Sequence, residues 1–353
     1  MNLRETELDE RTLLPEGVTL GEAVSSRLSR PGPIAGSGLF ALRNGDALLA
    51  VAEADLRRAM EDRLDPATPV TALAREELVA SDLEAARDRL GANVDLPGVV
   101  VRGAHGREGG GPGVGPSLLA REVEPVRSAI VMAGGFGTRL RPLTDDLPKP
   151  LLDVGGRPLL HRILEQLRDA GVQRVAISVH YLGERIEESI GDGSGFGLEV
   201  RYLREDHPLD TGAGLVLLGE SSEPFFIVNG DILTTLDFRS FGRHHVLSGR
   251  SATMATWLYA NPLAYGVVET EGERILGIAE KPVYRYPINS GVYAFSECVL
   301  ARVESGKSLA MVDFLLSLIA DGDALGRFPI VEYWNDVGSH ADYERAQREV
   351  ESL

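Results

Sequence analysis

Glycines 134, 135 and 137 follow the apolar run Ala129–Met132 in the stretch "VMAGGFGTRLRPLTDDLPKPLL", and Arg139, Arg141 and Lys149 stand close behind them. Glycine lacks a Cβ, so such a turn can aim backbone N–H groups at a ligand and let a phosphate come near; a tight structural turn is the other reading. A dinucleotide-binding fingerprint needs a further glycine where Leu140 stands, and a P-loop needs Gly-Lys-Ser/Thr, so neither fits. Lys149 lies between Pro148 and Pro150, which bias the backbone toward extended conformations and present the ammonium from a defined place. Arginine matches a polyphosphate with a bidentate fork and lysine with a point charge. Together these residue types point to the handling of phosphate groups, with a pair of solvated surface cations as the plainer alternative.

From about Pro125 onward, short apolar runs alternate with amphipathic stretches, the pattern of a layered α/β sheet. "SAIVMAGG" reads as a strand and glycine turn. In "RPLLHRILEQLRDAG" the residues Leu160, Ile163, Leu164 and Leu167 fall at helical spacing, Pro158 suits a first turn and Gly171 a C-terminal stop. "RVAISV", "LEVRYL" and "FFIV" read as strands, with "ERIEESI" as a short helix. The repeating unit predicts a doubly wound, mostly parallel sheet. Ser339 in "SHADYERA" is a fitting N-cap for a last helix, with Asp342 three residues on, and His340 there reads as a surface residue rather than a ligand.

Composition narrows the function classes. The chain has 353 residues, enough for two domains, 43% of them hydrophobic, and no apolar run of the roughly 18 residues that a membrane span requires. Its net charge of −17 repels polyanions, and no basic patch stands out, so no nucleic-acid role is expected. The acidic start "MNLRETELDERTLL" does not read as a secretory signal. Cys298 is the only cysteine, which excludes an internal disulfide or a cysteine-rich metal site and fits a reducing cytoplasm.

"GGFGTRLRPLTDDLPKPLL" closely resembles the signature of sugar-1-phosphate nucleotidyltransferases, with a lean toward the mannose-1-phosphate guanylyltransferase type. The resemblance continues through "DTGAG" (210–214), "VNGDIL" (228–233), "YGVVE" (265–269), "EKP" (280–282), "NSGVYAF" (289–295) and "YWNDVGSHADYERA" (333–346). It implies a Rossmann-like catalytic domain, placed at residues 124–353, that joins a nucleoside triphosphate, GTP by preference, to a sugar 1-phosphate with release of pyrophosphate. UTP, dTTP or CTP would use the same chemistry. It also implies roles. Gly134, Gly135 and Gly137 approach the nucleotide with their backbone, and Ala133, Thr138, Thr211 and Gly212 complete that set. Arg139 stabilises departing pyrophosphate, Lys149 holds phosphates at the reacting centre, and Asp231 with Asp336 carries Mg²⁺. Glu280, Lys281, Gly266 and Asn289 take the sugar phosphate; adjacent residues in a strand point to opposite faces, so Glu280 and Lys281 are not expected to satisfy each other. Asp210 replaces the first glycine of the commoner Gly-Thr-Ala-Gly form, which puts the choice of base in question.

Residues 1–123 read differently. "LFALRNGDALLAVAEADLRRAMEDRLDPATPV" (39–70) and "LVASDLEAARDRLGANVDLPGVVVRG" (78–103) resemble parts of a pair of CBS motifs, a smaller α+β regulatory or structural domain that commonly takes adenosyl ligands such as an adenine nucleotide. The turn "AEAD" keeps Asp55 but has Ala52 where a hydroxyl is expected, so a domain that keeps the fold without the ligand stands beside a sensor. The Gly/Pro-rich segment from His105 to Ser117 reads as a long loop that leaves the two domains separable. A homo-oligomer is open. Two other classes were weighed: a non-catalytic nucleotide-sugar sensor would have lost Arg139, Lys149 or Asp231, and a glycosyltransferase would carry a second aspartate in "NGDILTT".

Overall fold

In a computed structural model of the chain, the described residues are 3–8, 13–14, 17–23, 38–44, 47–62, 64–80, 83–92, 98–101, 117–121, 123–207 and 209–352. Of the expected Gly/Pro-rich loop, residues 105–116 lie outside that set, and Ser117 opens a strand. The N-terminal part contains β1 (Leu3–Glu7), β2 (Leu39–Asn44), β3 (Ala47–Ala52), α1 (Glu53–Glu61), β4 (Val79–Ala80), α2 (Leu83–Ala92), β5 (Gly98–Val101) and β6 (Ser117–Arg121). Its strands form one sheet in the order β1-β6-β5-β4 and a separate β2-β3 hairpin. Two small cores result, one around Leu78, Leu90 and Val100, the other around Leu42, Val51, Leu56 and Val70.

The C-terminal part runs β7 (Ser128–Met132), α3 (Leu159–Ala170), β8 (Arg174–Val179), α4 (Gly183–Ile190), β9 (Glu199–Arg204), α5 (Ala213–Leu218), β10 (Phe225–Asn229), β11 (Ile232–Thr234), α6 (Phe238–Ser248) and β12 (Ala252–Pro262). It continues with β13 (Val267–Glu271), β14 (Arg274–Ala279), β15 (Val283–Phe295), α7 (Met311–Ala320), β16 (Gly326–Ile330), β17 (Trp334–Asp336) and α8 (His340–Glu349). Seven strands form the central sheet in the order β16-β12-β15-β10-β7-β8-β9. β10, β7, β8 and β9 are mutually parallel, and β15 enters antiparallel to both β10 and β12. Successive strand residues point to opposite faces, and both faces are buried here. Ala129, Val131, Val175, Ile177 and Val228 pack with α3, α4 and α6. Their neighbours Ile130, Ala176 and Ile227 pack with α5 and α7 on the other side. That is why these strands read as unbroken apolar runs.

Helix α3 buries Leu160, Ile163, Leu164 and Leu167 as its spacing predicts, and ends at Gly171, whose φ of 103° suits a residue without a side chain. Pro158 occupies the N-cap position rather than the first turn. Ser339 caps α8, its hydroxyl accepting from the N–H of Asp342.

Strand order dictates where a ligand can sit. The chain steps from β7 to β8 to β9 in one direction and then returns to place β10 on the other side of β7. Connections therefore diverge above the carboxyl ends of β7 and β10, opening the crevice in which such sheets bind ligands.

Leu164 is fully buried between α3 and the sheet. Leu164→Ala should cost about 2–5 kcal/mol by urea unfolding of the full chain; a loss well under 1 kcal/mol would show that this core is not packed as described.

Candidate nucleotide site

The crevice is lined from successive strand ends. Ala133 follows β7, His180 follows β8, Glu205 follows β9, and Asn229 ends β10; all four border a cavity of about 300 Å³ together with Gly134, Gly135, Phe136, Lys149, Asp210, Thr211 and Asp231. Backbone hydrogen bonds hold the rim: Ala133 N–H donates to Ser178 (2.9 Å) and Gly230 N–H to Met132 (2.8 Å). The three glycines divide their service. A Cβ on Gly134 would come within 2.6 Å of Glu205 Oε1, whereas one on Gly135 would meet nothing within 4 Å, which marks open space for an approaching ligand. Gly137 does not line the cavity; its φ of 62° makes the turn, and its carbonyl accepts from the Thr144 hydroxyl at 2.8 Å. Close approach and tight turn are thus both present, at different glycines.

Charge gathers beside the turn. Lys149 is buried, with its Nζ 2.5 Å from Asp231 Oδ2 and 3.6 Å from Asp336 Oδ1. The two aspartates meet because β11 and β17 pair antiparallel, Ile232 opposite Asp336, and because Val337 N–H donates to the Asp231 carbonyl (3.1 Å). Asp336 Oδ1 is buried and makes no hydrogen bond. Burial, and then the neighbouring Asp231 carboxylate, push the Asp336 carboxyl above the usual range, against the pull of Lys149 and Arg139. Arg139 is exposed and pairs with no carboxylate among the described residues. Gly338 borders both side chains, a Cβ there lying in ordinary contact at 3.4 Å from Asp336 and 3.5 Å from the Arg139 guanidinium.

The donor set suits a hard cation. Two carboxylates converge, one of them with a buried oxygen that makes no hydrogen bond among the described residues. No group of three or more His, Cys, Asp or Glu stands ready for a metal among the described residues. Mg²⁺ characteristically takes one or two carboxylates and completes its shell with water and phosphate.

Other expected residues are placed differently. Thr138 begins the short turn that carries Arg139 and lies outside the cavity lining. Gly212 is turned away: its N–H donates to Leu309 (2.7 Å), and a Cβ would collide with that carbonyl. Thr211 lines the cavity, but its hydroxyl accepts from Met311 N–H (2.9 Å). None of the expected sugar residues borders this cavity. Gly266 lies against Glu280, where a Cβ would meet Oε2 at 3.0 Å, and Asn289 Oδ1 accepts from Gly291 N–H and the Tyr293 hydroxyl. Glu280 and Lys281 occupy a bend, not a strand, and Lys281 has φ 45°, so the opposite-faces reasoning does not apply to them. His180, Glu205, Asn229 and Phe136 went unread in the sequence. The signal for the first three was present, since each ends or follows a parallel strand. His340, exposed, contacts the Arg141 carbonyl at 2.8 Å. A second cavity of about 470 Å³ lies away from this chemistry, where the two parts of the chain meet.

A family model described as "Nucleotidyl transferase" matches residues 128–352. The chain belongs to that family. This nucleotidyl transferase is 32% identical to a mannose-1-phosphate guanylyltransferase of Mycobacterium tuberculosis over 231 residues, 63% of this chain and 64% of the relative. It is 34% identical to mannose-1-phosphate guanyltransferase beta-A of Xenopus laevis over 224 residues, 61% and 62% of the two chains. It therefore spans a little under two thirds of the length of these relatives. Among solved structures it resembles HddC of Yersinia pseudotuberculosis complexed with GMP-PN, with a TM-score of 0.51 and 26% identity over 64% of this chain and 100% of that one.

The raised Asp336 carboxyl sets a pH dependence. A folded-state pKa above the unfolded value gives stability that is present at acid pH and lost as the pH rises through the raised pKa. In the metal-free protein, Asp336→Asn removes that loss, so its unfolding free energy should fall less than that of the wild type between about pH 4 and 7. Parallel pH profiles would show that Asp336 is not perturbed.

Proposed function

We propose that this nucleotidyl transferase moves a guanylyl group from GTP to a sugar 1-phosphate, with mannose 1-phosphate the first to try, releasing pyrophosphate. One observation carries the reading: Lys149, Asp231 and Asp336 converge at the strand switch beside the exposed Arg139 and a glycine turn with open space at Gly135. The names of the two guanylyltransferase relatives and the GMP-PN complex of HddC support the nucleotide.

The sugar phosphate needs no general base, because a phosphate monoester with a second pKa of about 6 is already largely dianionic at neutral pH. Catalysis then consists of positioning and neutralisation of charge along an in-line displacement at the α-phosphorus. Arg139 meets the charge that grows on the departing pyrophosphate. Lys149 holds phosphate oxygens close to the reacting centre, drawn from a position where it now offsets two carboxylates. Mg²⁺, held by Asp231 and Asp336, would supply further neutralisation of phosphate charge.

Glu205 supports guanine in particular. Its carboxylate borders the cavity while accepting from the Ser178 hydroxyl (2.8 Å) and Leu209 N–H (3.0 Å). A carboxylate offers about four acceptor sites, so lone pairs remain. Guanine presents two adjacent donors, N1–H and the exocyclic amine, that match them; uracil and thymine present one N–H flanked by carbonyls that a carboxylate repels. Asp210, at φ 67°, adds a second carboxylate on the same wall.

For the N-terminal part we keep the reading of a CBS-like fold with weak or absent adenosyl binding. Ala52 caps α1 without a side-chain hydrogen bond, and Asp55 is already engaged by Arg75 at 3.2 Å. Calorimetry with AMP on the full chain should show no binding; tight binding would sink that reading.

A panel of four nucleotides against several sugar 1-phosphates, read by pyrophosphate release, should favour GTP. Glu205→Gln should erode that preference by about tenfold or more, the worth of a charge-assisted hydrogen bond, and an unchanged preference would remove Glu205 from base recognition. Arg139→Ala should lower kcat by about 10²–10³-fold, with Arg139→Lys only a partial rescue because the fork is lost. A pure KM effect would mean that Arg139 merely binds the triphosphate.

A further inference from the structure

The two parts of the chain are joined by buried charge. Arg57 on α1 clamps Glu332 of the C-terminal part bidentately, Nη1 to Oε2 at 2.7 Å and Nη2 to Oε1 at 2.6 Å, with side-chain exposures of 5% and 1%. Its Nε donates to Glu53 (3.0 Å), which in turn accepts from Arg243 on α6 (2.9 Å). Nη1 also reaches the Pro329 carbonyl at 3.3 Å, and the guanidinium lies 4.4 Å from the centre of the Phe328 ring. Burial alone would lower the Arg57 pKa; the Glu332 and Glu53 carboxylates more than offset it and hold the group charged.

Glu332 stands four residues before Asp336, at a bend from which the chain passes through Tyr333 into β17. That stretch is tied on every side. Tyr333 accepts from Thr235 N–H (3.0 Å), Trp334 Nε1 donates to the Ser290 carbonyl (3.0 Å), and Val337 N–H donates to the Asp231 carbonyl (3.1 Å). Tyr333 alone separates the bend at Glu332 from the strand that carries Asp336, and its carbonyl is itself held, so the connection between clasp and site is short. Buried ion pairs contribute little net stability compared with apolar residues of the same volume. What a bidentate fork does supply is direction.

We infer that Arg57 is a positioning residue: through Glu332 it sets the placement of β17, and so of Asp336, against Asp231 and Lys149. The inference rests on the reading of Asp336 as a working carboxylate of the site. It makes the N-terminal part a component of the catalytic geometry, where the sequence led us to expect a separable neighbour.

The protein carries its own probe. Its two tryptophans, Trp257 and Trp334, have ring centres 5.3 Å apart, and Trp334 lies between Glu332 and Asp336. Near-ultraviolet circular dichroism and tryptophan emission of the metal-free full chain therefore report on this stretch. Arg57→Lys keeps the charge but loses the fork; it should shift that signal and lower kcat by about tenfold or more, the scale of a small misplacement, with less change in the KM for GTP. Joint replacement Arg57→Met and Glu332→Met should recover the melting temperature but neither the tryptophan signal nor kcat. Should the joint replacement restore all three, or should Arg57→Lys leave the tryptophan signal at the wild-type value, the clasp merely fastens two parts together and the inference falls. A wild-type chain without nucleotidyl transfer would sink the parent reading alone, and the tryptophan comparison would still decide the clasp.

Discussion

The reversal of strand order beside β7 is the constraint from which the rest of the site follows. Because β8 and β9 are added on one side and β10 on the other, the segments leaving β7 and β10 diverge, and the backbone between them must turn without side chains in the way. Gly134 and Gly230 answer that demand: a Cβ at the first would strike Glu205, and at the second the Met132 carbonyl. His180, Glu205, Asn229 and Asp231 border the cavity from strand ends or the residues just after them, whereas Lys149 comes from a short helical turn further along the chain.

Once the crevice exists, electrostatics decide what it holds. The chain as a whole is strongly anionic, at −17, yet beside the crevice a buried ammonium lies between two carboxylates, and the nearby Arg139 guanidinium pairs with no carboxylate among the described residues. Burial and the neighbouring Asp231 carboxylate raise the Asp336 carboxyl, against the pull of the two cations. Under the proposed function, a nucleotide with a divalent cation would offset both signs of charge, the cation at the carboxylates and the phosphates at the lysine and arginine.

What was legible in the sequence depended on how local its cause is. The burial of Leu160, Ile163, Leu164 and Leu167, the Gly171 stop and the Ser339 cap are short-range consequences of periodicity and capping, and they stand in the structure as read. The family resemblance implied a shared site for Lys149, Asp231 and Asp336, and the structure places the two carboxylates 2.5 and 3.6 Å from the Lys149 ammonium although the three are far apart in the chain. Glu205 and His180 follow segments that read as strands, but it is the side-by-side pairing of β7, β8 and β9 that carries them to one rim. Gly212 was misjudged for the opposite reason. Its motif looked ligand-facing, but a long-range contact with Leu309 claims its N–H. Arg57 and Glu332, 275 positions apart, could not be paired from sequence, and each alone reads as an ordinary surface charge.

That buried pairing bears on how such a chain can change over time. A joint made of apolar surface tolerates gradual drift, because one aliphatic side chain replaces another at small cost. A joint that includes Arg57 and Glu332 does not: losing Arg57 removes the bidentate partner of the buried Glu332 carboxylate. Shuffling a foreign front half onto this catalytic half would carry that defect into the recombinant. The two halves are thereby bound to a common inheritance, accepting substitutions at their joint only in compensating pairs.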